Sequence, residues 1–581
     1  MKRFAALAFV LTLSACAYSA FKEPAVTDAP RAWRLKGHAM VAAADPRAVD
    51  AGLEILRAGG SAVDAAIATE LVLGLVEPQS SGLGGGGFMM SYDFESKALD
   101  LFDGRETAPG GASAAMFVGE DGKPLDFASA AHSGLSVGSP GLVPMFWMAH
   151  QQEGKLPWAK LFEPAIKLAE DGFAVSPRLT MLLDTSKKRG RLALFEPAKS
   201  YFYDAKGNAR QPGYILKNLA YAATLRAIAD QGPKALQEGS IAARIVKTVQ
   251  DDKRPGTLAL SDLRDYKPVK RTPLCLEYRA YNVCSTPPPG GGIGVLSALG
   301  MLAHQPKIAG GVNDPNALGL FIDSSRLAYA DRDYYVADPE AVSVPSKGLL
   351  NPQYLKVRAK LVQVGKKLAA AGPGDPSKFS GEQSLFGKWA GDKTDEVPGT
   401  THLSIVDENG DAVALTATVE AAFGNQRMTD GFVLNNQLTD FATAPSLDGR
   451  PFANAPAPFK RPRSSMAPTI IFDKSGEFYA ATGSPGGNAI IAYTLKTIVG
   501  MIDWGLTPQE AVALPNIIAR QGAVRIELAK TAPQAVDDLK KRGYAIADFA
   551  GETSGLHIVR AGPTGLEGGA DPRREGAAKG Y

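Results

Sequence analysis

The sequence predicts a mixed α and β fold in which layered sheets carry helices on their outer faces. Segments with helical periodicity alternate with short strand-like runs along the whole length of the chain. The 62 glycines and 40 prolines are also spread throughout rather than gathered in one linker. With 581 residues, of which 45% are hydrophobic and 21% charged, the chain is expected to be a large, soluble, globular protein.

Helical periodicity marks several regions of the chain. The stretch AVDAGLEILRAGGSAVDAAIATELVLGLVEP predicts two helices that are interrupted at Gly59 and Gly60 and ended by Pro78. Further helices are predicted around residues 215–230, 294–304 and 508–514.

Strand-like runs occur at FMMSYDF, VALTATV, TIIFD and YAATG. Residues 370–399 are polar and dotted with proline and glycine, which makes them the most linker-like segment. This segment ends at Gly399, immediately before TTHLSIV, a run that predicts a strand beginning with two threonines.

That strand and the next one predict a β-hairpin. The run AVALTATV follows the turn sequence ENGD, and Asn-Gly between alternating apolar runs favours a tight turn. A three-residue loop would pair Thr400 with Thr418, whereas a two-residue loop would pair Thr401 with Thr418. In either register a second hydroxyl lies beside the start of the strand, close enough to form a hydrogen bond.

The two threonines have an ordinary and a chemical interpretation. Threonine is common in strands, so the pair is compatible with simple sheet structure. Alternatively, Thr400 is a nucleophile that the chain creates by cutting the bond after Gly399. Cleavage would give Thr400 an α-amine with a pKa of about 7.7 to 8.0, which suits a general base near neutral pH. Gly399 offers little steric obstruction to the attack that this cleavage requires.

The start of the chain predicts export. Lys2 and Arg3 precede a short apolar run and small residues, as in a secretory signal, and the run is too short to span a bilayer. Its end, LSAC, resembles the lipobox of bacterial lipoproteins, so residues 1–15 are expected to be a signal peptide and Cys16 a lipid anchor. The expected location is the periplasm, with attachment to the outer membrane of a Gram-negative bacterium. The alternative is an ordinary signal cleaved near Ala20.

The remaining cysteines, Cys275 and Cys284, lie in PLCLEYRAYNVCS. A hairpin centred between them would bring them face to face, and an exported chain permits a disulfide. No cysteine or histidine cluster has ligand spacing, so no metal site is expected. The net charge is +3 and the basic run KKRGR is short, so nucleic acid is not an expected partner.

Five blocks of sequence together resemble the γ-glutamyltransferase family of N-terminal-nucleophile hydrolases: VEPQSSGLGGGGFMM, TTHLSIVD, LNNQLTDF, KRPRSSMAPT and TGSPGG. The resemblance extends from about residue 37 to residue 581. It implies a four-layer αββα sandwich, with self-cleavage into a large subunit, residues 16–399, and a small subunit, residues 400–581, that form one structural domain. It also implies transfer or hydrolysis of a γ-glutamyl group, usually from glutathione, without a cofactor.

The resemblance implies catalytic roles for residues of three blocks. Thr400 corresponds to the nucleophile and Thr418 to its hydroxyl partner. Gly486 and Gly487 correspond to the oxyanion hole, where backbone N–H groups stabilise the charge that develops in the transition state. Taken alone, two glycines would indicate only a tight turn.

The resemblance also implies a donor site. Arg105, Ser464 and Ser465 match a clamp for the donor α-carboxylate, which suits a guanidinium fork and two hydroxyls. Gln437 and Asp440 match the groups that receive the donor α-ammonium. Taken alone, Arg105 would be expected in an ion pair with a neighbouring acid, and Asp440 in a solvated loop.

Three departures from the family pattern bear on specificity. Glu420 stands where well-known members carry a neutral polar residue, and Thr439 stands where they often carry an acid. Residues 441–460, which would cover the site as a lid, are shorter than in long-lid members. These differences leave open the preferred acceptor and the ratio of transfer to hydrolysis.

Related acylases with the same fold remove glutaryl groups from cephalosporins and provide the nearest alternative. A glutaryl chain has no α-ammonium, so Asp440 and Glu420 would face each other unpaired, which is costly in a buried site. This argument favours a γ-glutamyl donor. Repulsion between Glu420 and the donor carboxylate would oppose the binding of a γ-glutamyl donor.

Two further motifs suggest other functions. The pattern GLSVG around Ser136 fits a serine esterase, but the strand that should precede it is missing from the sequence pattern. The run Gly84 to Gly87 is not followed by the residues of a phosphate-binding loop, and in the family it supports the backbone of the site. Besides the γ-glutamyl enzyme and the serine esterase, a third hypothesis for the function is a lipoprotein that binds γ-glutamyl compounds without turning them over.

Overall fold

The computed structural model describes residue 35, residues 37–549 and residues 554–581. The predicted signal peptide at 1–15, the alternative cleavage position near Ala20 and the predicted anchor Cys16 lie outside the described residues. The described chain has a mixed α and β fold, as the sequence predicts.

Strands are numbered in chain order: β1 Met40–Ala43, β2 Gly86–Tyr92, β3 Leu99–Asp103, β4 Phe173–Ala174, β5 Ile215–Leu216, β6 Val269–Arg271, β7 Leu274–Tyr278, β8 Tyr281–Ser285, β9 Thr400–Val406, β10 Ala412–Thr418, β11 Met428–Thr429, β12 Phe432–Val433, β13 Ser446–Leu447, β14 Arg450–Pro451, β15 Thr469–Phe472, β16 Phe478–Gly483, β17 Ile517–Ile518, β18 Val524–Ile526, β19 Ile546–Asp548, β20 His557–Ala561, β21 Leu566–Ala570 and β22 Ala577–Gly580.

The α-helices are numbered likewise: α1 Pro46–Arg57, α2 Ala62–Val76, α3 Phe127–Ala131, α4 Leu142–Glu153, α5 Glu163–Asp171, α6 Pro177–Arg189, α7 Ala198–Phe202, α8 Leu219–Gln231, α9 Lys234–Gln237, α10 Gly239–Gln250, α11 Leu260–Arg264, α12 Gly292–Ala303, α13 Pro315–Tyr335, α14 Ser346–Leu349, α15 Pro352–Ala359, α16 Ser377–Ser380, α17 Ile490–Ile502, α18 Pro508–Ala513 and α19 Pro533–Lys541.

Two large sheets dominate the described part of the chain. One has seven strands in the order β22-β1-β9-β10-β2-β3-β6, and the other has six in the order β21-β20-β16-β15-β8-β7. The sheets contact each other where β9 and β10 meet β16 and where β9 meets β20. Helix α2 packs on β9 and β10, while α12 packs on β7 and β8 and α17 on β16. Helices therefore pack on strands of both sheets.

The two faces of β9 are buried in different cores. Leu403 and Ile405 belong to the cluster shared with α1 and α2. Ser404 points the other way, because its hydroxyl donates to the backbone oxygen of His557 in β20 at 3.2 Å. Side chains alternate along a strand, so Thr400 lies on the same face as Ser404, toward the second sheet.

Local sequence signals explain the first two helices. Asp45 caps α1 by accepting from the backbone N–H of Arg47, and Pro46 occupies the first turn. Ser61 and Asp64 form a capping box at the start of α2. Every residue of α2 is buried, which agrees with its almost continuous apolar sequence. The predicted interruption between these helices is confirmed.

Most other predicted elements are also confirmed, with one difference at the start of α8. Helical periodicity suggested a helix over 215–230, yet residues Ile215 and Leu216 form strand β5 and the helix begins at Leu219. The side chain of Asn218 caps this helix by accepting from the backbone N–H of Tyr221, which fixes the later start. The helices α12 and α18 begin within two residues of their predicted positions.

The predicted cysteine hairpin is confirmed, because Cys275 in β7 lies opposite Cys284 in β8. The structure joins the two sulfur atoms in a disulfide. Within the described residues, none of the helices has the length and apolar character needed to cross a membrane.

Candidate active site

The two threonine hydroxyls meet at the open end of the β9–β10 hairpin. Thr400 is the first residue of β9, Thr418 is the last residue of β10, and the register pairs them. This register corresponds to the three-residue loop of the two alternatives given by the sequence. The Oγ1 atoms lie 3.0 Å apart, and both side chains are buried.

The carbonyl group of Gly399 accepts hydrogen bonds from two donors. Thr418 Oγ1 donates to it at 2.9 Å and the backbone N–H of Val419 at 3.2 Å. Because the single hydroxyl proton of Thr418 is directed to Gly399, Thr400 is the donor in the hydroxyl pair. The backbone N–H of Glu420 also donates to Thr418 Oγ1, at 2.9 Å. The bond before Thr400 therefore has a polarised carbonyl beside a hydroxyl group.

Glycines allow the backbone to approach this bond closely. A Cβ atom at Gly399 would lie 2.2 Å from the backbone oxygen of Glu420. A Cβ atom at Gly85 would lie 2.0 Å from the backbone oxygen of Thr418, and Gly86 is paired with Thr418 in the sheet. The glycine run after α2 thus supports the hairpin and is not followed by a helix start.

Gly486 and Gly487 follow β16 and have positive φ angles of 139° and 55°. Gly487 lines the same small cavity as Thr400 and Thr418, whereas Gly486 borders a neighbouring pocket with Val397. The segment before the hairpin covers these glycines, since a Cβ atom at Gly487 would lie 2.2 Å from the backbone oxygen of Glu396.

Arg105 and Asp440, which the resemblance places at opposite ends of a donor molecule, form an ion pair with each other. The distance from Arg105 Nη2 to Asp440 Oδ2 is 2.5 Å, and the same nitrogen donates to the backbone oxygen of Arg463 at 2.7 Å. Arg105 forms the ion pair with a neighbouring acid that is expected of an isolated arginine, from Nη1 to Glu106 Oε2 at 3.8 Å, but this pair is buried rather than at the surface. Its backbone N–H donates to Asp103 at 2.8 Å.

This ion pair corrects the expectation that Asp440 and Glu420 would be unpaired without a donor. Asp440 also accepts from Gln437 Nε2 at 2.7 Å. Glu420 accepts from the backbone N–H of Val397 at 3.1 Å and from the side-chain amide of Asn436. Both carboxyl groups therefore have partners within the protein.

Two buried oxygen atoms of the site nevertheless lack a donor. Among the described residues, Asp440 Oδ1 and Gln437 Oε1 have no hydrogen-bond partner. Both are acceptors, so the site suits a ligand group that carries N–H donors.

Burial is the largest cause of the pKa shifts of Asp440 and Glu420. Loss of solvent raises the pKa of Asp440 to about 6, although the nearby Arg105 guanidinium opposes the shift. The pKa of Glu420 is raised well above its ordinary value, first by burial and then by repulsion from Asp440.

Ser464 and Ser465 line the same cavity, and Ser465 leads to residues that sequence reasoning missed. Its hydroxyl accepts from Arg332 Nη2 at 2.8 Å, and the same nitrogen donates to Glu396 Oε1 at 2.5 Å. Glu396 lies within the segment interpreted as a linker, yet it is buried in the site. Polarity alone could not distinguish a solvated linker from a segment whose charges are neutralised by distant arginines.

Residues 441–460, which the resemblance implies form a lid, contain the short hairpin of β13 and β14, whose residues are exposed. Asn454 connects this segment to the site by donating to the backbone oxygen of Asp440 at 2.7 Å. Thr439, one of the departures from the family pattern, donates to the backbone oxygen of Asn436 at 2.8 Å.

Ser136 lies in a buried 3-10 turn, and its hydroxyl donates to backbone oxygens of Ala131 and Ser133. This arrangement differs from the strand-to-helix turn of an esterase nucleophile. In the part of the chain that the structure describes, no group of His, Cys, Asp and Glu could hold a metal ion.

The fold is similar to the crystal structure of cephalosporin acylase from Bacillus halodurans. The TM-score is 0.81 with 25% sequence identity, and the match covers 98% of this chain and 99% of that chain. This similarity gives the chain the fold of the N-terminal-nucleophile hydrolases.

Sequence comparisons narrow this class to a family. The glutathione hydrolase proenzyme of Bacillus subtilis (strain 168) is 39% identical over 486 residues, covering 82% of this chain and 80% of that protein. The glutathione hydrolase proenzyme of Escherichia coli (strain K12) is 35% identical over 552 residues, covering 92% and 90%. The model of the γ-glutamyltranspeptidase family matches residues 48–581. The chain belongs to the γ-glutamyltranspeptidase family.

Proposed function

We propose that the chain is a self-processing enzyme that removes the γ-glutamyl group from glutathione or related amides through a threonyl acyl-enzyme. The group would pass to water or to the amine of an amino acid or peptide. The observation that carries this proposal is the position of Thr418 Oγ1, within hydrogen-bond distance of both Thr400 Oγ1 and the Gly399 carbonyl oxygen.

Self-processing would begin with attack of Thr400 Oγ1 on the carbonyl carbon of Gly399. The peptide C–N bond breaks, an ester bond forms, and the hydroxyl proton passes to the nitrogen that becomes the α-amine of Thr400. Thr418 and the N–H of Val419 would stabilise the oxyanion that develops on Gly399. Water then hydrolyses the ester and leaves Gly399 with a carboxylate and Thr400 with a free hydroxyl.

The new α-amine of Thr400 would serve as the base for substrate turnover. It accepts the proton of Thr400 Oγ1 while this oxygen attacks the γ-carbonyl of the donor. The backbone N–H groups of Gly486 and Gly487 would hold the oxyanion, and the leaving amine takes the proton as the acyl-enzyme forms. A second attack by water or an acceptor amine releases the γ-glutamyl group.

The proposal includes the processed state and its location. Residues 16–399 would form the large subunit and residues 400–581 the small one, as one heterodimer with a four-layer αββα core. The predicted signal peptide and Cys16 anchor would place the enzyme in the periplasm, tethered to the outer membrane. The order β1-β9-β10-β2 supports one structural unit, because strands from both sides of Gly399 alternate in the same sheet.

The choice of donor rests on the two unpaired acceptors of the site. An α-ammonium group carries three N–H donors and would satisfy both Asp440 Oδ1 and Gln437 Oε1. A glutaryl group has no such donor and would leave both oxygens unpaired. The similarity to a cephalosporin acylase keeps glutaryl amides as the second candidate.

Denaturing electrophoresis with N-terminal sequencing of the parent and a Thr400→Ala variant tests self-processing. We expect fragments of the parent, the smaller beginning Thr-Thr-His, and an uncut variant. Assays of the parent with γ-glutamyl and glutaryl anilides then identify the acyl group. An intact parent without turnover would contradict the proposal and favour a noncatalytic binding protein.

A further inference from the structure

A second group of charges lies beside the candidate active site, and the mechanism above does not use it. Among the described residues it contains three arginines and three buried carboxylates: Arg332, Arg463, Arg520, Asp333, Asp392 and Glu396. Glu396 belongs both to this group and to the lining of the cavity that contains Thr400, and Ser465, which accepts from Arg332, lines the same cavity. A carboxylate at the position of Glu396 therefore lies in the cavity proposed to bind the substrate.

Glu396 is held in this group like a bound ligand. Its Oε1 atom accepts from Arg332 Nη2 at 2.5 Å and lies 3.6 Å from Arg463 Nε. Burial alone would raise the pKa of Glu396, but Arg332 and Arg463 hold it at about 2. The carboxylate is thus ionised, and its charge is neutralised by two arginines.

The guanidinium group of Arg463 lacks well-oriented hydrogen-bond acceptors in the described residues even when Glu396 is present. Its side chain is completely buried, and its guanidinium nitrogens have no hydrogen-bond partner with suitable geometry in the described part of the chain. Its nearest carboxylate oxygen, in Asp392, lies 3.2 Å away. Buried guanidinium groups are normally hydrogen-bonded, so Arg463 retains capacity for another acceptor.

Arg105 is more fully occupied than Arg463. It donates to Asp440, to the backbone oxygen of Arg463 and to that of Pro462. An incoming carboxylate would have to compete with these acceptors for Arg105.

Cleavage after Gly399 would remove Glu396 from its partners. The segment loses its covalent connection to β9, and Gly399 gains a carboxylate in the same segment as the ionised Glu396. Repulsion between these two negative charges favours departure of the segment. The buried Arg332 and Arg463 would then face only the carboxylates of Asp392 and of Asp333, and Asp333 is shared with the partly buried Arg520. An uncompensated buried charge is costly, so the vacated position would attract an anion.

We propose that Arg332, Arg463 and Ser465 form a carboxylate-binding site that Glu396 fills in the uncut chain and a carboxylate of the substrate fills after cleavage. The inference rests on the proposed function for the identity of that substrate. The carboxylate comes either from the γ-glutamyl donor itself or from the leaving group, such as the terminal carboxylate of glutathione. In the uncut chain, Glu396 would block this subsite.

The anion site can be tested without enzymatic turnover. Thr400→Ala keeps the chain uncut, and adding Glu396→Ala vacates the position between the arginines. We expect acetate to raise the melting temperature of the double variant, relative to chloride at equal ionic strength and to neutral acetamide. Thr400→Ala alone, and Thr400→Ala with substitution of the exposed Glu120 by alanine, should not respond. Equal responses in all three proteins, or none in the double variant, would overturn the site.

Kinetics of the processed enzyme provide a second test, which also applies if the double variant does not fold. Loss of a charge-assisted contact in Arg463→Met should raise KM about tenfold or more. The exposed Arg189 at the end of α6, outside the candidate site, supplies the control substitution, Arg189→Met.

The two sources of carboxylate predict different substrate dependence. If KM rises for both γ-glutamyl-p-nitroanilide and glutathione, the site holds the donor carboxylate. If it rises only for glutathione, the site holds the leaving-group carboxylate. An unchanged KM for both substrates would overturn the proposal. Absence of turnover in the parent would instead contradict the proposed function, and the acetate experiment would still test the anion site.

Discussion

Thr418 donates a hydrogen bond to the Gly399 carbonyl oxygen while it accepts one from Thr400, so one hydroxyl contacts both the proposed nucleophile and the peptide group that it would cleave. This arrangement exists because β9 and β10 are paired without a register shift from their turn to their open end. The turn chemistry at Asn409 and Gly410 therefore determines which hydroxyl lies beside Thr400.

Removing the hydroxyl of Thr418 should slow self-cleavage. In Thr418→Ala the Gly399 carbonyl keeps only the N–H of Val419, and Thr400 loses its acceptor. We expect cleavage to slow by roughly 100-fold or more, the lower range for a lost acid–base group. Thr418→Ser should retain much of the rate in an electrophoretic time course. The exposed Thr185→Ala is the control, and wild-type cleavage of Thr418→Ala would contradict this role.

A side chain at Gly399 should also prevent cleavage. The Cβ atom of alanine would lie 2.2 Å from the Glu420 backbone oxygen and 2.3 Å from the Ala421 carbonyl carbon, so the scissile bond must move. We expect Gly399→Ala to remain largely uncut for hours under conditions that process the parent. Gly391→Ala tests the same substitution in the same segment, where the new Cβ atom has open space. Equal rates for the two variants would contradict the predicted steric effect.

Donor binding should depend on the ionisation of Asp440. Its pKa is raised to about 6, first by burial, so the carboxylate needed to pair with an α-ammonium is lost as the pH falls through that value. We expect KM for a γ-glutamyl anilide to rise about tenfold for each pH unit below about 6. KM is the useful measurement, because kcat also reports the α-amine of Thr400. Asp440→Asn should give a high KM that changes little with pH, and a flat parent profile would contradict the assignment.

Lys496 provides a test of stability away from the site. It is fully buried in α17 and donates to the backbone oxygen of Leu514 and to Asn516, both at 2.6 Å. Burial lowers its pKa to about 7, below the unfolded value of about 10.4. Between these pH values the unfolded state binds more protons, so the free energy of unfolding should rise with pH by up to about 1.4 kcal/mol per unit.

Substitution of Lys496 by methionine should remove this contribution to the pH dependence of the free energy of unfolding. Urea denaturation of the uncut Thr400→Ala chain from about pH 7 to 10 would measure the effect. Lys541→Met, at an exposed position in α19, is the matched control. If the free energy of unfolding still rises with pH in Lys496→Met but not in Lys541→Met, the assignment to Lys496 is contradicted.

The parts of the fold predicted correctly from sequence are those with local causes. Capping residues and glycines delimit α1 and α2, and Asn-Gly specifies the β9–β10 hairpin. The sequence left two registers open because loop length cannot be read from alternation alone. The three-residue loop was selected by the backbone N–H of Asp407, which donates to Asp411 at 3.0 Å.

The parts of the site that sequence reasoning missed depend on long-range packing. Arg332 lies in α13 and meets Glu396 across 64 positions of the chain, and Asn436 reaches Glu420 from a separate loop. Nothing in the local sequence distinguishes these side chains from solvated ones. The Arg105–Asp440 pair was missed for the same reason, since its members are 335 positions apart.

The strand order β22-β1-β9-β10-β2 indicates that folding of the sheet would precede the proposed cleavage. β9, β10 and β22 follow Gly399 in sequence, whereas β1 and β2 precede it, so the two pieces would be interleaved by hydrogen bonds. Simple dilution would not part them, and pieces separated by denaturant would have lost the connection that aligned their strands. Under the proposed mechanism the chain would have to fold before cleavage, and each molecule would have one opportunity to reach its mature form.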